Sequence, residues 1–299
     1  MNSPFSDTSA QSARPSDDDN IQRILYRLRQ SSLTIIGIIM VIVVVLVGLI
    51  GPLAVPFPED TTGNTRMSER LTPPDDTYLL GTDEAGRDVF SRTIVATQTS
   101  LLIGIVVLFI AIMIGVPLGA ISGYFGGSVD EVIMRITDIF LTAPALVLAM
   151  AMATALGAGM INAMIAISLV WWPGFARLTR GQVLALRERD FIESAHAVGA
   201  SSSRTITKHI LPNVMSPVII KASMDMGFAI LVAAGLGFIG VGVQEPTPEW
   251  GVMISQGRSL LRDAPWISIF PGLAMFITVL GFNLLGDGLR DVLDPKMRQ

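Results

Sequence analysis

The chain has 299 residues, 51% of them hydrophobic and only 15% charged, with a formal net charge of -4 and a mean hydropathy of +0.57. This balance excludes an ordinary soluble domain and points to a polytopic, all-α membrane protein. The absence of cysteine excludes a disulfide framework and any thiolate metal site, and the Lys and Arg are too scattered to make a nucleic-acid surface.

Residues 1–31 read as a disordered tail that becomes basic towards its end, with Arg23, Arg27 and Arg29 set among Ile24, Leu25 and Leu28. Residues 33–55 carry no charge. About 20 residues cross a hydrocarbon core of roughly 30 Å, so 32–55 is expected to be a spanning helix and not a cleaved signal. Residues 56–93 form a polar, Pro-rich external loop. The second span is expected at 101–121. After the turn at Gly123–Gly127, a third span starts near Asp130, Arg135 and Asp138 and continues to about residue 156. The fourth, 161–175, is expected to be interrupted at Pro173, with Trp171 and Trp172 suited to an interface. A fifth span covers about 217–241 and a sixth 267–285.

Between the fourth and fifth spans lies a polar, basic stretch, residues 190–213, DFIESAHAVGASSSRTITKHILPN. Phe191, Ile192, Ala195, Val198 and Gly199 recur at helical spacing, so its first part reads as a short amphipathic helix. Gly199 should loosen that helix, and Pro212 should prevent uninterrupted helix further on. The apolar stripe needs something to bury against, and no other part of the chain looks large and soluble enough, so the expected partner is another protein.

Glu193-Ser194-Ala195, Gly199 and Leu211-Pro212 resemble the EAA motif, E-A-A-x3-G-x9-I-x-L-P, of the membrane subunits of ATP-binding-cassette importers. Ser194 departs from the first Ala, and His209 stands where Ile is usual. The ending His209-Ile210-Leu211-Pro212-Asn213 is instead similar to the dipeptide, oligopeptide and nickel permease branch, C-type subunit. Gly81-Thr82-Asp83, Gly86-Arg87-Asp88-Val89 and Ser91-Arg92 resemble the LGTDxxGRDVxSR signature of the same branch. A polar loop with a Gly-closed turn would also account for these residues, and no catalysis follows from them. Glu245 to Gly251 resembles the family's P-x-P-x-W-G, and Gly286 to Pro295 its C-terminal signature. The family's usual basic residue before Ser100-Leu101 is absent, and Ala233 and Gly237 stand where an acid and a Ser are common.

The resemblance covers about residues 30–298. It implies the type I importer permease fold: six transmembrane helices, with a five-helix core at 94–290 and a cytoplasmic coupling segment at 178–213. It also implies that Glu193, Ser194, Ala195, His196, Gly199, His209, Leu211 and Pro212 couple the chain to an ATPase. The partners implied are two ATPase subunits carrying ATP and Mg, a second homologous permease subunit, an extracytoplasmic substrate-binding protein and membrane lipid, in a bacterial-type inner membrane. Peptides are the first substrate class implied; nickel chelates, glutathione-like compounds and opine or sugar derivatives stay open.

Six spans place both termini on one face. Fourteen of the 21 Lys and Arg fall in the two tails, the Arg135 turn and the coupling stretch, against six in the two long loops opposite. The positive-inside rule therefore makes the coupling stretch, both termini and the 291–299 tail cytoplasmic. No P-loop is present: Lys208, Lys221 and Lys296 follow Thr207, Ile220 and Pro295, not Gly. His196 and His209 lack the spacing of a metal site, and Ser201–Ser203 lack the partners of a nucleophile. The chain is therefore not expected to be an enzyme or to bind a cofactor itself.

Lys221 and Asp225 are four apart in the fifth span and share a helix face. Burying either charge unpaired at mid-bilayer costs about 2.5–3.5 kcal/mol, so they read equally as pathway-lining residues or as a paired anchor. The alternative these charges leave open is an ion-gradient-driven secondary transporter or channel, although no internal repeat supports it.

Overall fold

The computed structural model describes residues 31–293, apart from the side chains of Ala195, His196 and Leu293. Residues 1–30 of the expected N-terminal tail and 294–299 of the C-terminal one lie outside the described residues, as do the side chains expected at coupling positions 195 and 196.

Helix α1 spans Ser32–Ala54, its start capped by the Ser31 hydroxyl, which accepts from the Thr34 N–H. α2 runs Val89–Phe125 and is capped by Asp88, whose carboxylate accepts from the Ser91 N–H. It opens well before the expected residue 101, inside the expected external loop. α3 (Gly127–Thr142) and α4 (Ala145–Leu156) follow, then α5 (Met160–Arg187), α6 (Asp190–Ala197) and the single turn α7 (Ser202–Thr205). A π-turn at Ile206–Ile210 leads directly into α8 (Leu211–Ile239). α9 (Trp250–Gly257) and α10 (Trp266–Leu293) complete the order. Among the described residues five helices are long and apolar enough to cross a membrane, and the bent pair α3–α4 makes a sixth if taken as one span.

Three prolines behave differently for physical reasons. At Pro144 the third span bends by 93°; Ala143, just before it, takes an extended backbone (φ -87°, ψ 144°) as a residue before proline prefers. Pro173, expected to interrupt the fourth span, lies inside an unbroken α5. There Gly115, Gly119 and Gly123 of α2 form a small-residue stripe on which α5 is seated. A Cβ at 115 would stand 2.4 Å from the Trp172 carbonyl oxygen, and one at 119 only 2.3 Å from that of Ala176. Packing on both sides of Pro173 holds the helix course, as spans tolerate proline when neighbours support them. Pro212 does not stop the helix either. The Leu211 N–H reaches back to the Ile206 carbonyl, a π-type bond that widens the turn just before the proline ring.

The glycine stripe permits a sharp prediction. Gly119→Leu should force α2 and α5 apart at a cost of about 3 kcal/mol or more, seen as loss of a monodisperse peak after detergent extraction. Gly181→Leu is the control, because a Cβ there meets nothing within 4 Å. Equal behaviour of the two variants would refute the stripe as the packing seam.

Helix α1 packs by the same logic. Its buried residues are Thr34, Gly37, Val44 and Gly48; Gly37 abuts Leu284 and Leu285 of α10, and Gly48 abuts Leu101 of α2. The remaining face, including Ile36, Ile39, Ile42, Leu49 and Leu53, is exposed apolar surface, suited to lipid.

Candidate functional site

Three sites follow from the fold: the α6 end, a cavity above it, and an ionic cluster at the opposite end of the bundle. At the first, α5 ends at Arg187 and the chain turns through Glu188 and Arg189 into α6. The Ile192 and Glu193 N–H groups both donate to the Arg189 carbonyl. Ile192 is fully buried, packed in a cluster with Ala120, Val183, Ile210 and Val214. This corrects the expectation that the apolar stripe has no partner within the chain: its centre is seated on the ends of α2, α5 and α8. The stripe's flanks are not covered, Phe191 being 42% and Val198 84% exposed. Glu193 and Ser194 are exposed too, and the Ser194 hydroxyl donates to the Asp190 carbonyl. Gly199, with φ +79°, closes the helix in open space. Leu211 is half-buried, Pro212 exposed, and the His209 carbonyl accepts from the Asn213 amide.

The same end is braced from α3. Arg180 of α5 makes a two-pronged ion pair with Asp130, Nε to Oδ1 at 2.5 Å and Nη2 to Oδ2 at 2.6 Å. The Ser122 hydroxyl also donates to Asp130. Arg177 pairs with Asp138 at 2.5 Å. A two-pronged arginine contact fixes orientation as well as distance, so α3 and α5 are held in register at the root of α6.

Above α6 opens a cavity of about 1030 Å³ lined along one face of α8 by Ser216, Ile220, Lys221, Met224, Asp225 and Phe228. Gln182 and Arg189 of the α5 side and Arg290 of α10 add charged and polar groups to its wall, with Leu178 beside them. Asp225 lies at the midpoint of α8. Its carboxylate receives the Lys221 ammonium at 2.9 Å (Oδ2) and 3.2 Å (Oδ1), and the Trp171 indole N–H at 3.2 Å. The Lys221 ammonium also stands 5.3 Å from the centre of the Phe175 ring, within cation–π range. The structure thus pairs the two expected charges and places them in a cavity wall.

The third site is built by the Gly81–Asp88 signature. Gly81 (φ +72°) and Gly86 (φ +73°) adopt left-handed turns, and a Cβ on Gly86 would lie 1.9 Å from the Arg66 carbonyl oxygen. The Thr82 hydroxyl accepts from the Thr72 N–H at 2.9 Å and donates to the Glu69 carbonyl at 2.5 Å. Asp83 accepts from the Ala85 and Arg87 N–H groups and from Arg87 Nε at 2.8 Å. Arg87 and Arg92, the latter only 1% exposed, both pair with Glu245, and Arg92 Nη1 also donates to the Asp60 carbonyl at 3.0 Å. Asp60 accepts from the Asp88 N–H at 2.7 Å. Burial pushes the Glu245 carboxyl up, but the Arg87 hydrogen bond and both arginine charges outweigh it and hold the group below its usual range. For Asp60, burial prevails over the Asp88 and Arg66 contacts and raises the carboxyl. The signature is therefore a structural device: it caps α2 and locks the loop before it to the loop after α8.

Next to this cluster Glu249 caps α9, its Oε2 accepting from the Val252 N–H at 3.0 Å, and is 1% exposed. Burial raises its carboxyl above the ordinary value, only partly countered by the Gly251 and Val252 N–H groups. A raised folded-state value means that ionisation disfavours the fold, a penalty absent in acid and growing as pH rises past the unfolded carboxylate value. Glu249→Gln keeps the capping oxygen, so its melting temperature should exceed the parent's near about pH 8 and converge with it near about pH 4. The opposite trend would show that the ionised form is the stabilising one.

Several participants were invisible to sequence reasoning. Arg87 and Arg92 meet Glu245 across 158 and 153 residues, and the Trp171–Asp225 bond joins two different spans. A residue-by-residue reading contains no signal for such pairings. The one hint is that Arg92 and Glu245 both stand within stretches that resemble the family's motifs.

The family described as binding-protein-dependent transport system inner membrane component matches residues 115–299. The N-terminal TM domain of oligopeptide transport permease C matches residues 20–74. The probable D,D-dipeptide transport system permease protein of Escherichia coli (strain K12) is 46% identical over 278 residues, 93% of this chain and 92% of that one. The dipeptide transport system permease protein of Alkalihalophilus pseudofirmus is 43% identical, covering 91% and 88%. A glutathione transport system permease protein of Pectobacterium atrosepticum is 45% identical, covering 75% of each chain. Among solved structures, an inward facing conformation of the MetNI methionine ABC transporter aligns with TM-score 0.54 at 20% identity, over 68% of this chain and 97% of that one, which shows the shared fold. The chain therefore belongs to the inner membrane components of binding-protein-dependent transport systems, as a multi-pass permease subunit of an ATP-binding-cassette importer whose ATP hydrolysis is carried by separate subunits.

Proposed function

We propose that the chain imports short peptides, or a compact relative such as a glutathione-like solute, as one of two homologous membrane subunits served by two ATPase subunits and an extracytoplasmic binding protein. The names of the relatives support the substrate class. The observation that carries the mechanism is the half-seated α6: Ile192 anchors it to three spans while Phe191, Glu193, Ser194 and Val198 remain exposed. A helix held by one buried residue and presenting a mixed apolar and acidic face is suited to a groove on a soluble partner. In this reading positions 193–199 dock on an ATPase subunit, with Ala195 and His196 on the same helix. His209, Leu211 and Pro212 join that segment to α8. Closure of the ATPase subunits around ATP and Mg pulls α6, and the Asp130–Arg180 brace passes the displacement to α3 and the bent third span. Alternating access follows as the spans re-pack. The α6 end and both termini then face the cytoplasm, and the Gly81–Asp88 cluster faces the binding protein.

The test is affinity purification of the tagged chain in mild detergent, followed by mass identification of its partners and an ATPase assay. Recovery of a second permease with P-loop ATPases, and peptide-stimulated hydrolysis once the binding protein is added, is the expected result. A chain that purifies alone and moves peptide into liposomes without ATP would overturn the reading.

A further inference from the structure

We propose that Asp225 and Lys221 form a charge-exchange subsite for the end groups of a zwitterionic peptide. Asp225 receives the peptide's α-ammonium, and Lys221, released from it, turns to the carboxylate. The inference rests on the peptide-import reading above and adds to it a place where the cargo is held.

The first ground is position. Both residues line the cavity above α6, one helical turn apart on α8, with side chains 31% (Lys221) and 15% (Asp225) exposed. Ionisable residues in spans that face a wet cavity and pair with one another mark solute pathways. At about 1030 Å³ the cavity has room for a small peptide with its hydration.

The second ground is the charge of the wall. Among the described residues that line it Asp225 is the one carboxylate, whereas Arg189, Lys221 and Arg290 are all cationic. A solute ammonium therefore has one anionic acceptor there, beside the neutral Gln182, Asn213 and Ser216, and a solute carboxylate has several cations to choose from. A zwitterion matches this arrangement better than a neutral solute or a simple cation does.

The third ground is how the pair is held. The Trp171 indole N–H donates to Asp225 Oδ2 independently of Lys221, so the carboxylate stays oriented while its cation is exchanged. Replacing one ammonium by another at the same oxygen keeps a cation on the carboxylate. Lys221 swings on a flexible stem beside the Phe175 ring, which stabilises its cation from another direction. Phe228, three residues beyond Asp225, offers an apolar wall to a peptide side chain.

The experiment uses the complete importer in its nucleotide-free form, without binding protein, so that selection by that protein does not enter. The probes are Ala-(p-benzoyl)Phe, its N-acetyl derivative and its C-terminal amide, each photolysed with the complex and mapped by mass spectrometry. The parent should label residues of α5 or α8 about tenfold more strongly with the free dipeptide than with the N-acetyl form, the loss expected when a charged hydrogen bond is removed. Asp225→Asn keeps an acceptor for Trp171 and should abolish that discrimination, while Asp225→Glu should retain most of it. Lys221→Met should abolish discrimination against the amide. Equal labelling of the parent by all three probes, or undiminished discrimination in Asp225→Asn, would overturn the subsite and leave the pair as an anchor. Uptake of radiolabelled dipeptide by the parent complex in liposomes, with binding protein and ATP, is measured in parallel. Absence of uptake would overturn the peptide reading itself, whereas uptake without discrimination overturns the subsite alone.

Discussion

Asp83→Ala is expected to be among the most damaging single changes in the chain, lowering stability by about 3–5 kcal/mol, the cost of stripping one partner from a buried ion cluster. The Asp83 carboxylate holds Arg87 Nε at 2.8 Å and lies 3.7 Å from Arg92 Nε, while also closing the turn through the Ala85 and Arg87 N–H groups. Without it two buried guanidinium groups share Glu245, which is itself partly open to solvent. Burial already works against the Arg87 cation, and Asp83 and Glu245 together more than offset this and raise its value. Asp83→Asn keeps an oxygen for the turn and should lose roughly half as much, since charged hydrogen bonds contribute about 1.5–3 kcal/mol each. The readout is thermal melting of the detergent-purified protein, where Asp83→Ala should fall by roughly 10 °C. Because the cluster is buried, added salt should change neither melt by much. A melt of Asp83→Ala matching the parent's would mean the signature is a surface for a partner and not a structural lock.

The second large effect is expected at Gly199. Its φ of +79° lies in the left-handed region, and a Cβ built there meets nothing within 4 Å. The requirement is therefore on the backbone alone. A β-branched residue is strained there by about 1–3 kcal/mol, whereas Asn tolerates the left-handed region better. Gly199→Val should leave the protein inserted and folded, because the cluster around Ile192 is untouched, yet should uncouple ATP hydrolysis from peptide uptake in the assembled importer. Gly199→Asn should retain most uptake, and Gly199→Asp should fall between the two because a new charge enters the proposed docking face. The check is the ratio of peptide transported to ATP hydrolysed in liposomes. Equal ratios for the Val and Asn variants would show that the turn geometry has no part in coupling.

Asp83 and Gly199 lie at opposite ends of the helix bundle. The Gly81–Asp88 cluster ties the loop before α2 to the loop after α8. The Ile192 cluster joins α6 to α2, α5 and α8, and the Asp130–Arg180 brace joins α3 to α5. Between them lies the cavity containing Lys221 and Asp225.

Much of this was legible in local sequence because a membrane imposes local rules. An uncharged run long enough to cross the bilayer must be a helix, since every backbone group has to be satisfied within the segment. Thus α1 could be placed from residues 33–55 alone, and α8 and α10 nearly so. Helical spacing in residues 190–199 located α6, and Gly199 marked its end because only a residue without Cβ turns there at no cost.

Tertiary structure decided the rest. Proline is the clearest case: Pro144 bends its span by 93°, Pro173 leaves α5 unbroken, and Pro212 is accommodated by a π-turn. All three are the same residue; the difference is whether a glycine stripe or a widened turn supports the chain on either side. α9, hidden in what reads as a loop, forms because Glu249 caps it and Trp250 is buried with its indole N–H on the Thr93 carbonyl at 3.2 Å. The fate of Ile192 depended on where the ends of α2, α5 and α8 converge. The ion cluster depended on bringing Glu245 to arginines more than 150 positions away. Sequence by itself determined which segments enter the membrane and the family's motifs, because transfer free energy and turn geometry depend on neighbouring residues. Only packing determined which charges pair, which prolines bend and which face of α6 is left free, because these depend on residues that are distant in the chain and adjacent in space.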